Sequence, residues 1–334
     1  MARFSVRGYL PGDEATVVSL WNRCLPADPI TAERFAAQVL LDVNFDAAGF
    51  LVAEQEGAIV GFLLALTRQT PMQGLDNDPE DGWISVFFVD PAFRTQGIGQ
   101  ALLDRGRAHV ADRGRRWVSV SPYAPNYFWP GVDADLYPEA LRFLRKNHFE
   151  TIETPVSMTA SLLGFSIPDS VRDLRRRRED EGYAFGTLRD DQITGVLEFN
   201  SRHFSADWAR AIREGLLRGV PRERVLVASR GAEIVGFCLY GGYDRVAERF
   251  GPFGVHPELR RVGLGRILLY LCLDRMHANG LQNAWFLWTG LDDPAGHLYT
   301  SAGFHVARSF TVLRADAAPT APNTLGRKFQ GSSP

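Results

Sequence analysis

Residues Val89 to Leu103 read VDPAFRTQGIGQALL, and residues Val255 to Leu269 read VHPELRRVGLGRILL. Both contain V-x-P-x-x-R-x-x-G-x-G, and both run on into an apolar, helix-forming stretch. Their first glycines, Gly97 and Gly263, lie 166 positions apart. A repeat of that length predicts two domains of one kind, because solenoid units are far shorter. A strand that ends at Val-x-Pro cannot go on pairing, since proline has no N–H to donate. The chain then turns through arginine and glycine and starts a helix. The first turn of a helix leaves N–H groups without partners and carries partial positive charge. Glycine lets an anion approach that backbone closely, and Arg94 and Arg260 add charge-assisted contacts. The pattern predicts a cradle for a pyrophosphate in each half.

Other phosphate cradles fit less well. A P-loop needs G-K-[ST], and neither copy has a lysine there. A dinucleotide fingerprint needs a third glycine after G-x-G, where Leu102 and Leu268 stand. The bland alternative is a pair of ordinary strand-to-helix turns.

The phrase resembles the signature of the GCN5-related N-acetyltransferase (GNAT) family, [RQ]-x-x-G-x-[GA], here as a tandem pair. The matching residues are Arg94-Thr95-Gln96-Gly97-Ile98-Gly99, followed by Gln100, and Arg260-Arg261-Val262-Gly263-Leu264-Gly265, followed by Arg266. Val89 and Val255 close the strands before them. The resemblance covers nearly the whole chain. It implies two mixed α/β acyl-CoA N-acyltransferase domains, acetyl-CoA bound at the two loops, and acetyl transfer to an amine. The tandem layout is similar to that of the mycothiol synthases, which implies a small-molecule acceptor.

Length and composition agree with two soluble domains. The chain has 334 residues, 45% hydrophobic and 23% charged. No uncharged run approaches the ~20 residues that span a bilayer. The first residues show no apolar secretory region, and Cys24, Cys238 and Cys272 are scattered. Both features predict a reduced, cytoplasmic protein, with Cys238 and Cys272 as buried filler. Residues 1–165 carry 14 Arg and Lys against 20 Asp and Glu, while residues 166–334 carry 23 against 19. That balance speaks against a dedicated nucleic-acid binder, whose domains are usually strongly basic. The run Arg175–Arg178 is followed at once by Glu179, Asp180 and Glu181 and reads as a solvated linker helix with i,i+4 pairs such as Arg175–Glu179.

The two halves align beyond the motif. Residues 50–54 and 58–62 read as two strands around a tight turn, matched by 225–228 and 233–237. Motif strands are expected at 83–89 and 250–255, with motif helices ending near Gly114 and Gly280. A strand, a short helix and a last strand, 154–162 or 305–313, close each half. The expected organisation is a first GNAT domain at 1–165, a linker at 166–182, a second domain at 183–316 and a loose tail at 317–334. Two domains in one chain can imitate the dimer of single-domain relatives, so a monomer is expected.

The halves differ in their chemistry. Residues 293–304, DPAGHLYTSAGF, resemble the family's second signature, with Asp293 placed to cap a helix and Pro294 at its first position. The resemblance implies that Tyr299 is the general acid that protonates the departing CoA thiolate. In the first half Leu144 stands at that place. The first half therefore keeps the cradle and lacks the acid. Against this, a helical tyrosine is often ordinary amphipathic packing. Backbone N–H groups around Gly254 and Val255 are placed to meet an oxyanion. Glu248, just before the motif strand, is either a base acting through water or a solvated carboxylate. His256 reads as a surface or capping residue. The seven histidines show no metal-binding spacing, so no metal is expected. Residues 126–133, NYFWPGVD, either line a pocket or seal the core, and the acidic stretch Asp76, Asp78, Glu80, Asp81 either attracts a cationic amine or is solvated. Three functions remain open: an N-acetyltransferase working in its second half, a non-catalytic acyl-CoA binder, and catalysis in the first half without tyrosine.

Overall fold

The computed structural model describes residues 4–72, 76–243 and 246–318. The first half runs β1 (Phe4–Gly8), α1 (Asp13–Cys24), α2 (Ala32–Phe35), a π-helical turn at Ala36–Leu40, β2 (Phe50–Gln55), β3 (Ala58–Thr67), β4 (Asp81–Val89), α3 (Ile98–Asp112), β5 (Trp117–Val120), β6 (Val132–Asp133), α4 (Pro138–Lys146), β7 (Glu150–Glu153) and β8 (Val156–Ser161). A linker helix, α5 (Asp169–Asp180), follows. The second half repeats the order: β9 (Tyr183–Thr187), α6 (Ile193–His203), α7 (Ala206–Leu217), β10 (Val225–Arg230), β11 (Glu233–Tyr240), β12 (Phe250–Val255), α8 (Leu264–Ala278), β13 (Asn283–Thr289), α9 (Pro294–Ser301) and β14 (His305–Asp316). No helix among the described residues is long and apolar enough to cross a membrane.

The paired strands seen in the sequence form the centre of each half. In the first, β1, β2, β3 and β4 pair in order and antiparallel, and β5 pairs parallel to β4. In the second, β9, β10, β11 and β12 pair in order, all antiparallel. The opening strands β1 and β9 are too short and too polar to stand out in the sequence. The motif helices α3 and α8 lie across these sheets. Leu102 and Leu268, at the place of the missing third glycine, do the same work in each: a Cβ on Gly61 would come within 2.9 Å of Leu102, and one on Gly236 within 2.9 Å of Leu268. A leucine knob on the helix thus seats against a bare strand position, and both helices draw close to their sheets.

Sheet membership crosses the boundary at residue 165. The last strand of each half enters the sheet of the other. β8 pairs with β13, Val156 opposite Thr289 and Ala284 opposite Ala160. β14 pairs with β5, Leu313 opposite Val120 and Asp316 opposite Trp117. The order β1-β2-β3-β4-β5-β14-β8-β13 is therefore continuous across both halves. Val156, Met158 and Ala160 pack in the core of the second half, and Leu313 and Ala315 in that of the first. Alternating apolar residues specify a strand and its buried face, but not which neighbour it chooses.

The linker is helical as the charge pattern suggests, with Arg175 Nε donating to Glu179 at 2.8 Å. Gly114 and Gly280 end the motif helices with φ of 74° and 81°. Of the expected loose tail, residues 319–334 lie outside the described residues.

Candidate active site

The two glycine turns have one backbone design. A short 3₁₀ turn, Pro91–Phe93 or Pro257–Leu259, follows each motif strand. The next positive φ falls on Thr95 (63°) and Arg261 (69°), then on the helix N-caps Gly97 (86°) and Gly263 (93°). Both helices begin without a side-chain cap, so their first N–H groups face outward. This geometry fits a diphosphate. Ile98 and Leu264 are buried, so they offer only their N–H groups there. Thr95, Gln96, Gly97 and Arg261 are exposed, and Val262, Gly99 and Gly265 are half-buried. Arg94 bends back so that Nε donates to the Val89 carbonyl at 3.1 Å. Gln100 donates to Asp104 and Asn147, which ties it to its own half. Arg260 and Arg266 are exposed, and the Arg266 guanidinium lies 5.9 Å from the Tyr270 ring.

The surroundings of the two turns differ. Around Gly97 nothing lies within 4 Å of an added Cβ. At Gly263 the added atom would meet Leu174 Cδ2 at 2.8 Å, because the linker helix α5 packs along α8.

Beside each turn the motif strand parts from its parallel neighbour. In the first half, β4 pairs with β5 over Asp81–Ile84, and the Ser121 N–H still reaches the Ile84 carbonyl. Past that point the strands diverge. In the second half contact is reduced to one bridge, Arg249 with Trp285, where the Trp285 N–H donates to the Glu248 carbonyl at 3.0 Å. The His256 N–H donates to the Val235 carbonyl of β11. Antiparallel groups alternate along a strand, so Gly254 also points its N–H at β11, while Val255 and Phe253 point theirs at the cleft. Of the two expected oxyanion donors, only Val255 faces the opening; the Gly254 N–H is spent in the sheet.

Tyr299 stands at the base of the second cleft on α9. Its ring lies 4.5 Å from Phe286, 5.8 Å from Phe250 and 6.1 Å from Phe253. It is 7% exposed, and burial pushes the hydroxyl pKa well up, with the thiols of Cys238 and Cys272 adding to the effect. A phenol so placed keeps its proton at neutral pH. Pro294 takes the first position of α9 as expected, but Asp293 makes no side-chain cap; its carboxylate lies over Gly290 instead. In the first half Leu144 is 2% exposed and belongs to the apolar core.

The mouth of the second cleft is built by both halves. The buried Arg249 guanidinium stacks over Tyr243 at 4.4 Å and lies 6.0 Å from Tyr127 of the first half. Tyr127 also meets Trp288 edge-on at 6.2 Å, and Trp288 donates to Glu153. Glu248 is half-buried beside this group. Arg249 escapes sequence reading, and Tyr127 is read there only as part of the aromatic loop 126–133, since their meeting depends on the packing of the two halves. The aromatic loop divides its work: Phe128 seals the first core 4.9 Å from Trp21, while Tyr127 reaches the mouth. Two carboxylates of the acidic stretch are committed, Asp78 to Arg68 and Asp81 to Arg314, while Asp76 and Glu80 are exposed. His256 caps its turn by accepting the Glu258 N–H. All three cysteines are buried and unpaired. Among the described residues no group of three or more His, Cys, Asp or Glu is placed to hold a metal.

Comparison with known proteins bears on this geometry. Residues 15–126 match the model of the acetyltransferase (GNAT) family, and residues 221–306 match a GNAT acetyltransferase domain model. A mycothiol acetyltransferase of Amycolatopsis mediterranei is 32% identical over 34% of this chain and 39% of its own length. The matched part is thus about two fifths of that relative. One from Streptomyces bingchenggensis is 27% identical over 80% of both chains. Among solved structures, a tandem GNAT protein from the clavulanic acid biosynthesis pathway superposes with a TM-score of 0.63, covering 96% of this chain and all of its own, at 16% identity. With one family match in each half and the repeated turn in both, the chain belongs to the GNAT acetyltransferase family as a tandem member.

Proposed function

We propose that this protein moves the acetyl group of acetyl-CoA to a primary amine of a small molecule, and that the second half performs the step. The observation that carries this is the position of Tyr299, at the base of a cleft whose backbone turn fits a diphosphate, with Leu144 at the same place in the first half. Acetyl-CoA, when bound, supplies an electrophilic thioester carbonyl. The chain's own groups do the rest. Val255 and the turn at Arg260–Gly265 hold and orient the co-substrate, with Arg266 at the rim. The Val255 N–H faces the cleft and stabilises developing negative charge on oxygen. Glu248, at the mouth, takes the proton that the attacking ammonium must lose. Tyr299 donates its hydrogen bond toward the leaving sulfur. Because burial raises its pKa, donation of a hydrogen bond fits this phenol better than early release of the proton.

The first half keeps the turn at Arg94–Gln100 after Val89 and supplies Tyr127 to the mouth. A mouth closed by two domains suits a small acceptor, in line with the mycothiol acetyltransferases among the relatives. The test is release of CoA thiol from acetyl-CoA over a panel of small amines, with the acetylated product weighed by mass spectrometry. Amine-dependent release is expected. Tight acetyl-CoA binding with no release for any amine would overturn the proposal in favour of a non-catalytic acyl-CoA binder.

A further inference from the structure

A second cavity, of about 660 Å³, opens between α2 and the loops of the first half on one side and α7 of the second half on the other. Its size falls in the usual range for small-molecule sites. Five arginines line it against three carboxylates. That excess of positive charge stands out in a chain of net charge −2 whose first half is acidic.

The carboxylates are largely committed to the walls. Asp42 accepts from the Tyr123 hydroxyl and from the Asn44 N–H. Glu214 pairs with Arg210 at 2.8 Å and Arg218 at 3.0 Å. The deepest cation is Arg68, 2% exposed. Its guanidinium lies 5.5 Å from the Trp83 ring and 5.6 Å from that of Tyr123. Nε donates to Asp78 and Nη2 to the Ala124 carbonyl. Nη1 is buried with no hydrogen-bond partner among the described residues. A buried cationic donor left without a partner is costly, and a charge-assisted bond to a bound anion would offset that cost.

The cavity shares walls with the mouth of the second cleft. Asn126 lines it, and the next residue, Tyr127, lies by Arg249 and Trp288. Arg210 lines it and pairs with Asp207, which accepts from the Tyr243 hydroxyl beneath Arg249. We propose that this cavity binds an oxyanion, carboxylate or phosphate, and that the oxyanion is part of the acceptor amine. The second clause rests on the acetyltransferase function proposed above.

The experiment uses the whole protein and charge reversals at the exposed wall residues, Arg213→Glu and Arg218→Glu, which leave Arg68 and its partners intact. Inorganic phosphate at constant ionic strength is the binding probe, read by calorimetry. Matched acceptors are the transfer probe: ethanolamine against phosphoethanolamine, and 6-aminohexanamide against 6-aminohexanoate. Phosphate binding that weakens about tenfold or more in the reversals is expected, as is a preference of about tenfold in kcat/KM for the anionic member of a pair. The reversals should erase that preference while sparing the neutral amine. Phosphate binding without any preference would overturn the assignment to the acceptor. No phosphate binding would overturn the site. Phosphate binding lost in the reversals, with no amine acetylated, would uphold the anion site and sink the transferase function instead. A preference for phosphoethanolamine over 6-aminohexanoate, or the reverse, separates phosphate from carboxylate.

Discussion

Gly97 and Gly263 hold the same place in their halves, at left-handed N-caps of 15-residue helices with φ of 86° and 93°. Around them the halves diverge. The first turn is open, and the α4 position that matches Tyr299 carries a leucine buried in the core. The second turn lies beneath Leu174 of the linker helix, and its cleft ends on Tyr299. On the function proposed above, a phosphate cradle made of backbone survives wherever the turn survives, while proton chemistry hangs on one side chain and is lost with it. The difference then teaches that the two functions of such a domain, holding an anion and moving a proton, are separable.

Replacing the tyrosine tests that separation most severely. Tyr299→Phe keeps the ring among its aromatic neighbours and removes only the hydroxyl. It should lower kcat by roughly 10²–10⁴-fold, with the acetyl-CoA Kd unchanged. The matching change in the first half, Leu144→Phe, should leave kcat alone. Steady-state rates beside calorimetric Kd values check both. Equal losses in the two variants would end the assignment of chemistry to the second half.

The exchanged strands give a second contrast. β8 enters the second half on apolar side chains. β14 enters the first half with Arg308, which pairs with Asp28 at 2.6 Å and Asp133 at 2.7 Å, both carboxylates buried. Asp28 also accepts from Tyr137 and Trp129. Arg308→Ala would leave two buried carboxylates without their cation, a loss of about 3–5 kcal/mol. Denaturant unfolding measures it, and a loss under about 1 kcal/mol would show that the apolar contacts of β14 suffice.

A third contrast lies on the motif helices. His109 of α3 is 6% exposed, whereas Arg275, at the same place in α8, is exposed. Burial, with Arg113 beside it, pushes the His109 pKa down to about 4, and Asp46 only partly offsets this. The unfolded chain therefore binds a proton near pH 6.5 that the folded chain refuses until about pH 4. Stability from this residue is full above pH 6.5 and falls as pH drops through that window, by up to about 3 kcal/mol. Thermal unfolding from pH 7 to 4 should show the fall, and His109→Gln should flatten it. An identical slope in the variant would assign the acid sensitivity to other groups.

How much of this could be read beforehand depends on whether the cause is local. The strands at 50–55 and 58–67, the glycine turns and the motif helices follow from residues near in sequence, and so were legible. Leu102 and Leu268 were visible only as a missing glycine; their packing on Gly61 and Gly236 explains why leucine belongs there. What could not be read is partner choice. An alternating strand such as 156–161 does not say which sheet it joins. The same holds for Tyr127, Arg249 and Arg68, whose neighbours come from the other half or from distant loops. Asp293 shows the converse: a good capping residue in sequence whose side chain the tertiary structure draws over Gly290.

The smallest expected effect separates the two turns themselves. Gly97→Ala forces a side chain into a left-handed residue with open space around it, which costs about 1 kcal/mol. Gly263→Ala costs the same strain, and its methyl also meets Leu174 Cδ2 at 2.8 Å. Leu174 is half-buried, and its end can shift, so the added cost is a few tenths of a kcal/mol rather than that of a backbone clash. Truncating Leu174 to Ala removes that added cost in the Gly263→Ala background and changes nothing in the Gly97→Ala background. Two double-mutant cycles by denaturant unfolding measure the coupling directly. Equal coupling in both would mean that α5 does not distinguish the turns. Coupling confined to Gly263 would mean that the linker helix reaches the second cradle alone, so any movement of α5 is felt at the half that carries Tyr299.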